Sequence, residues 1–140
     1  MCGIIGFQGN FVKENFKLAV NKIHHRGPDN SSIYSDDLKK VSLGHTRLAI
    51  QDISRNGNQP MISDNGNYII IFNGEIYNFL LLKKKLLSNK RKFKSKTDTE
   101  IILYLFIEYG DNFVEMLNGI FTICIYDKEK NLLSLYRDCL

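Results

Sequence analysis

Cysteine is scarce in this 140-residue chain: three residues, at positions 2, 124 and 139, with no CxxC pair among them. An odd number of widely spaced thiols does not make a disulfide framework, and nothing here is spaced for a structural zinc ion. Long apolar runs are missing too. None approaches the roughly eighteen residues needed to cross a bilayer. The opening MCGIIGFQGNF has no basic stretch and turns polar too early for a secretory signal. Internal repeats, low-complexity tracts and linkers are likewise absent, and no charge of one sign dominates. The 19 Lys and Arg against 15 Asp and Glu leave a formal +4, much of it between positions 83 and 96. What is present, 44% hydrophobic and 24% charged residues, excludes a disordered or collagen-like chain. The expectation is one cytoplasmic domain with a real core and no membrane partner.

Periodicity predicts the elements in order. Gly3-Ile4-Ile5-Gly6-Phe7 reads as a buried strand. Phe16, Ala19, Val20 and Ile23 form the stripe of an amphipathic helix over 15–25, ended by Gly27-Pro28. Strands are expected over 31–34 and 41–43, with a further short one over 49–53. Met61-Ile62 and the run 68–72 flank Asp64-Asn65-Gly66-Asn67, a hairpin signal, and Asn73-Gly74 is expected to close the second strand. A helix with a lysine-rich outer face follows over 77–87. Thr97-Asp98-Thr99-Glu100 has capping-box spacing before the apolar run 101–107, and Gly110 fits a C-cap. A further helical turn or two over 112–117 leads to a second hairpin, 119–126 with 132–136. Strands that arrive as hairpins predict an α+β fold of antiparallel sheets. Their continuous apolar character predicts sheets covered on both faces, hence a layered sandwich.

Cys2 is the most suggestive chemical position. The small second residue favours removal of Met1, leaving a thiol and a free α-amine on one residue. That amine titrates at about 7.7–8.0, is partly neutral at physiological pH, and can act as the nucleophile's own base, directly or through water. On position alone a packing cysteine is the commoner case. Gly3 removes bulk beside the thiol, and the apolar strand after it would anchor it. Arg47 could be a surface cation, Asp98 a favourable first-turn helix charge, and Asn73-Gly74 merely a turn. His24, His25 and His45 have no acidic or cysteine partner at ligand spacing, so neither a metal site nor a triad is expected. The lysines at 83–85 with the basic run 90–94 admit a small nucleic-acid-binding domain. Their plainer reading is a solvated helix face, since aromatic interleaving is limited to Phe93. Cys124 reads as core, and Cys139 is given no role.

Eight segments in order resemble class II glutamine amidotransferase domains. They are Met1-Cys2-Gly3-Ile4-Ile5-Gly6, His25-Arg26-Gly27-Pro28-Asp29, Gly44-His45-Thr46-Arg47-Leu48-Ala49-Ile50 and Gln59-Pro60-Met61. Next come Phe72-Asn73-Gly74-Glu75-Ile76-Tyr77-Asn78, Thr97-Asp98-Thr99-Glu100, Leu117-Asn118-Gly119-Ile120-Phe121 and Tyr136-Arg137-Asp138. They span nearly the whole chain and are most similar to the glutamine-hydrolysing asparagine synthetase branch. The resemblance implies an N-terminal-nucleophile hydrolase fold, a four-layer αββα sandwich, expected to be incomplete at the C-terminus. Residues 1–140 would be a partial glutaminase domain without its synthetase domain. ATP and Mg would belong only to that other domain, with no cofactor and no metal in this one.

The resemblance also implies roles. Cys2 would attack the side-chain amide of glutamine, giving a glutamyl thioester and ammonia, and water would then release glutamate. Asn73 and the backbone N–H of Gly74 would hold the oxyanion. Arg47 would take the substrate carboxylate, while Glu75 and Asp98 would take its ammonium. The main chain at Ile50 and Gln51 would line the pocket, although the family usually has an aliphatic residue where Gln51 stands. Arg26 and Asp29 would organise a nearby loop. The implied partners are glutamine and a synthetase domain or chain that passes the ammonia to aspartate or another acid. A homodimer is left open, and no nucleic acid is expected. An inactive truncated fragment is the alternative within the family.

Overall fold

The computed structural model describes residues 2–88 and 91–139; Met1 and Lys90, which figure in the sequence reading, lie outside the described residues. Strand β1 (Gly3–Gln8) is followed by helix α1 (Lys13–Lys22), then β2 (Asn30–Asp36) and β3 (Val41–Arg47). In the first sheet the order is β1-β3-β2, all antiparallel, so the first strand skips its nearest neighbour in sequence. The second sheet runs β4 (Met61–Ile62), β5 (Tyr68–Ile76), β6 (Gly119–Asp127) and β7 (Leu132–Arg137), again antiparallel. Helices α2 (Phe79–Ser88) and α3 (Asp98–Tyr109) lie between β5 and β6 in the chain.

Side-chain alternation decides which surface goes where. On β5, Ile69 and Ile71 pack with Val41, Leu43, Cys124 and Tyr126 between the sheets. Ile70 and Phe72 point the other way, onto Leu82, Leu86, Ile101, Ile102 and Leu105 of the two helices. On the outer face of the first sheet, Phe16 and Val20 of α1 close over Gly44. The result is the expected αββα sandwich. Eight successive residues of α3, Asp98 through Leu105, are buried, so its sequence reads as a continuous apolar run rather than a stripe.

Three sequence expectations are corrected. The stretch 49–53 is irregular: Ile50 and Ile53 are exposed, and the carbonyls of Asp52 and Ser54 face the Arg47 guanidinium instead of a neighbouring strand. Asn73-Gly74 does not end β5, because pairing continues through Asn73↔Thr122 and Gly74↔Phe121 to Ile76↔Gly119. Glycine is required there for space: a Cβ on residue 74 would lie 2.2 Å from the Ile120 carbonyl oxygen. The capping box does not close either. Thr97 makes no side-chain cap, and Glu100 turns back to accept the N–H groups of Lys94 (2.9 Å) and Ser95 (2.7 Å).

Four members of the basic run are engaged on the domain's own surface. Lys83 lies 5.0 Å from the Phe93 ring centre and Lys85 4.8 Å from that of Tyr109, while Arg91 pairs with Glu108 at 3.3 Å and Lys94 with Asp64 at 2.5 Å. Among the described residues no helix is long and apolar enough to cross a membrane.

Candidate active site

Four pieces distant in sequence end at one edge of the sandwich: the start of β1, the end of β3, the end of β5 and the first turn of α3. Register accounts for the first two. Gly3 pairs with Thr46, which places Cys2 alongside the segment that leaves β3 after Arg47. The contact is close: a Cβ on Gly3 would meet Thr46 Oγ1 at 2.5 Å. The Cys2 carbonyl accepts from Arg26 Nε at 3.1 Å, and Leu48 N–H donates to Cys2 Sγ at 3.4 Å. Asp29 accepts from the Ala49 N–H at 2.7 Å, which pins the chain just beyond. The half-buried thiol is thus held by main chain on both sides.

Arg47 is buried and organises the irregular loop that follows it. Its Nη1 donates to the Ser54 carbonyl and to Asn58 Oδ1, each at 2.7 Å, and Nη2 donates to the Asp52 carbonyl. Nη1 is therefore saturated, while Nε–H and one Nη2–H have no acceptor among the described residues. Gly57 lies flat against this group, where a Cβ would fall 2.3 Å from Nη2. The Ser54 side chain first, then the N–H groups of Lys96 (2.9 Å) and Ser54 (2.8 Å) that Asp52 accepts, hold its carboxyl down to about 2.

Across the cleft, β5 presents N–H groups on the side away from β6. Those of Phe72 and Ile76 are taken by Gln59 Oε1 (2.6 Å) and Asp98 Oδ2 (3.2 Å). The main-chain N–H and carbonyl of Phe121, opposite Gly74, are both bonded to Asp138 on the β7 side. By the alternation of an antiparallel ladder, the Gly74 N–H therefore points away from β6, into the cleft between Gln59 and Asp98. Burial lifts the Asp98 carboxyl to about 6, Glu75 pushing the same way and the Ile76 N–H opposing. Gln51 bridges the two acids: its Nε2 donates to Glu75 Oε1 at 2.6 Å, and its Oε1 accepts the Asp98 N–H at 3.3 Å.

Cys2, Arg47, Ile50, Gln51, Gly74, Glu75 and Asp98 all line this cleft of about 150 Å³. Asn73 does not. It faces an adjoining cavity of about 250 Å³, behind a wall that Gly74 and Ile120 contribute to both, and its Oδ1 is buried with no partner among the described residues. His45, fully buried between the sheets, is pushed down to about 4, first by burial and further by the nearby Arg47 charge. The Phe72 main chain lies close enough to oppose that shift without the geometry of a hydrogen bond. Sequence reasoning did not anticipate Gln59 as a structural link: it is buried and joins the Phe72 N–H to Thr99 Oγ1 (3.1 Å), tying β5 to the first turn of α3. Nor did it anticipate Asn58 and Asp52 as supports for Arg47. One-residue patterns do not distinguish a buried amide from a solvated one.

A thiol, a guanidinium edge, two carboxylates and an inward N–H therefore share one small cleft. A profile described as glutamine amidotransferase domain matches residues 1–140. The chain belongs to the glutamine amidotransferase domain family. This glutamine amidotransferase domain is 41% identical over 158 aligned positions to a Methanocaldococcus jannaschii protein provisionally named asparagine synthetase [glutamine-hydrolyzing] 2. That alignment covers 99% of this chain and 30% of the relative. It is 38% identical to asparagine synthetase [glutamine-hydrolyzing] 3 of Bacillus subtilis, covering 99% of this chain and 23% of that protein. The domain thus spans under a third of the length of these relatives. Its fold matches that of glutamine phosphoribosylpyrophosphate amidotransferase from B. subtilis with a TM-score of 0.71 at 21% identity, over 91% of this chain and 35% of the other. The amidotransferase domain accordingly has the N-terminal-nucleophile hydrolase fold that the sequence implied.

Proposed function

We propose that Cys2, with Met1 removed, hydrolyses glutamine through a glutamyl thioester, and that the ammonia serves an ATP-dependent amidation of an acid such as aspartate. The observation that carries this reading is the placement of the Cys2 thiol in one cleft with Arg47, Glu75 and Asp98. Those groups match a free amino acid: the open guanidinium edge suits an α-carboxylate and the acids suit an α-ammonium. Sulfur bonds to the amide carbon, the C–N bond breaks, and the thiol proton passes through the Cys2 amine to the departing ammonia. Water then displaces sulfur and restores the thiol. The Gly74 N–H stabilises the charge that develops on oxygen, and the Asn73 amide joins it only by turning across the shared wall from the adjoining cavity. The acceptor is inferred from the relatives' names, and the amidation would use ATP and Mg on a synthetase domain or chain. The setting is cytoplasmic, in keeping with three unpaired cysteines. A nucleic-acid role is not proposed, since Lys83, Lys85, Arg91 and Lys94 are engaged on the domain itself. The test is direct: the chain with Cys2 at its terminus releases glutamate and ammonia in equal amounts from glutamine. No release from that species overturns the reading.

Asp98 makes binding depend on pH. Its carboxyl, raised to about 6, is charged above that value and neutral below it. Glutamine affinity is expected to be flat above pH 7 and to weaken by up to about tenfold per unit as pH falls below the transition. Calorimetric titrations of a Cys2→Ala protein between pH 5 and 8 check this, and Asp98→Asn should flatten the profile. A profile already flat in the parent protein would remove Asp98 from ammonium binding.

A further inference from the structure

We propose that the Gln51 side chain occupies the α-ammonium subsite and must leave when glutamine binds, so that residue 51 limits substrate affinity. The inference deepens the glutaminase reading and rests on it. Gln51 Nε2 lies 2.6 Å from Glu75 Oε1, and its Oε1 accepts the Asp98 N–H at 3.3 Å. A neutral carboxamide N–H therefore stands on the carboxylate that an incoming ammonium has to reach. Both groups compete for the same acceptor, and the ammonium wins because a charge-assisted bond to a carboxylate is the stronger. Its advantage is reduced by the bond that it displaces.

The bridge can be broken without unfastening the loop that carries it. Arg47 holds that loop at Asp52, Ser54 and Asn58, Asp29 holds it at Ala49, and none of these contacts passes through the Gln51 side chain. The adjacent Ile50 is 74% exposed, so solvent is available for the displaced amide. Residue 51 thus acts as a tethered competitor at the mouth of the cleft, and its removal leaves Glu75 open to substrate.

The test compares Cys2→Ala with Cys2→Ala/Gln51→Val by calorimetry, using L-glutamine and 4-carbamoylbutanoate, the same molecule without its α-amino group. Removal of the carboxamide is expected to tighten L-glutamine by roughly three- to tenfold. The analogue, which does not contest the subsite, should bind both proteins alike. Gln51→Ala should give the same ordering, which guards against a packing effect of valine. Unchanged or weaker glutamine binding, or equal tightening of both ligands, overturns the proposal while leaving the glutaminase reading intact. No glutamate release from the parent chain, together with no glutamine binding by Cys2→Ala, overturns both.

Discussion

Cys2→Ala is expected to bind glutamine and release no glutamate. Loss of a covalent nucleophile costs on the order of 10⁶ in turnover, because the remaining groups orient the substrate without cleaving it. The fold should survive the change. Cys2 precedes β1, is only half-buried, and its thiol contacts the Leu48 main chain rather than the core. No other thiol can take over: burial pushes Cys124 up to about 12 between the sheets, and Cys139 lies outside the cleft. The measurement is glutamate release over hours at high enzyme concentration, paired with calorimetry for binding. Turnover retained in the variant would sink the nucleophile assignment, and binding lost with turnover would show that Cys2 shapes the pocket instead.

Asn73→Ala is expected to lower kcat by about 10²–10³ while KM moves little, because the Asn73 amide, which rests in the adjoining cavity, reaches the oxygen across the Gly74–Ile120 wall only as charge develops there. Stability should scarcely fall. Asn73 Oδ1 is buried without a partner among the described residues, so truncation also removes an unsatisfied acceptor, which offsets part of the lost packing. Steady-state kinetics with a thermal melt separate the cases. A kcat that tracks the melting temperature would make Asn73 a structural residue of the β5–β6 ladder. Normal turnover would leave the oxyanion to the Gly74 N–H alone.

The layered architecture was legible because hydrophobic period and turn chemistry agreed. Asn65-Gly66 sits where a hairpin turn must, and the β6–β7 hairpin follows the same logic. Misreadings arose where long-range partners outvoted local signals. Asn-Gly at 73–74 is a turn signal by composition, yet Thr122 and Phe121 continue the ladder across it. The stretch 49–53 reads as a short strand, but Arg47 and Asp52 fold it into a loop. Thr97 and Glu100 had the spacing of a cap, and Ser95 drew the glutamate away. For the site, seven of the eight residues implied by family resemblance meet in the cleft. Gln59 and the grip of Gln51 on Glu75 depend on which side chains face each other across forty or twenty-four residues, and sequence order hides that.

The skipped pairing of the first sheet has a kinetic consequence. Residue 2 is made before any of its partners, yet its strand must wait for β3 rather than zip onto β2, and the opposite wall of its pocket comes from β5 and α3. β5 in turn finds its long partner β6 only after both helices have been made. Non-local pairing of this kind forms late and slowly. Cys2 is thus made long before the walls of its cleft, and a nascent chain carries the thiol without a closed site around it.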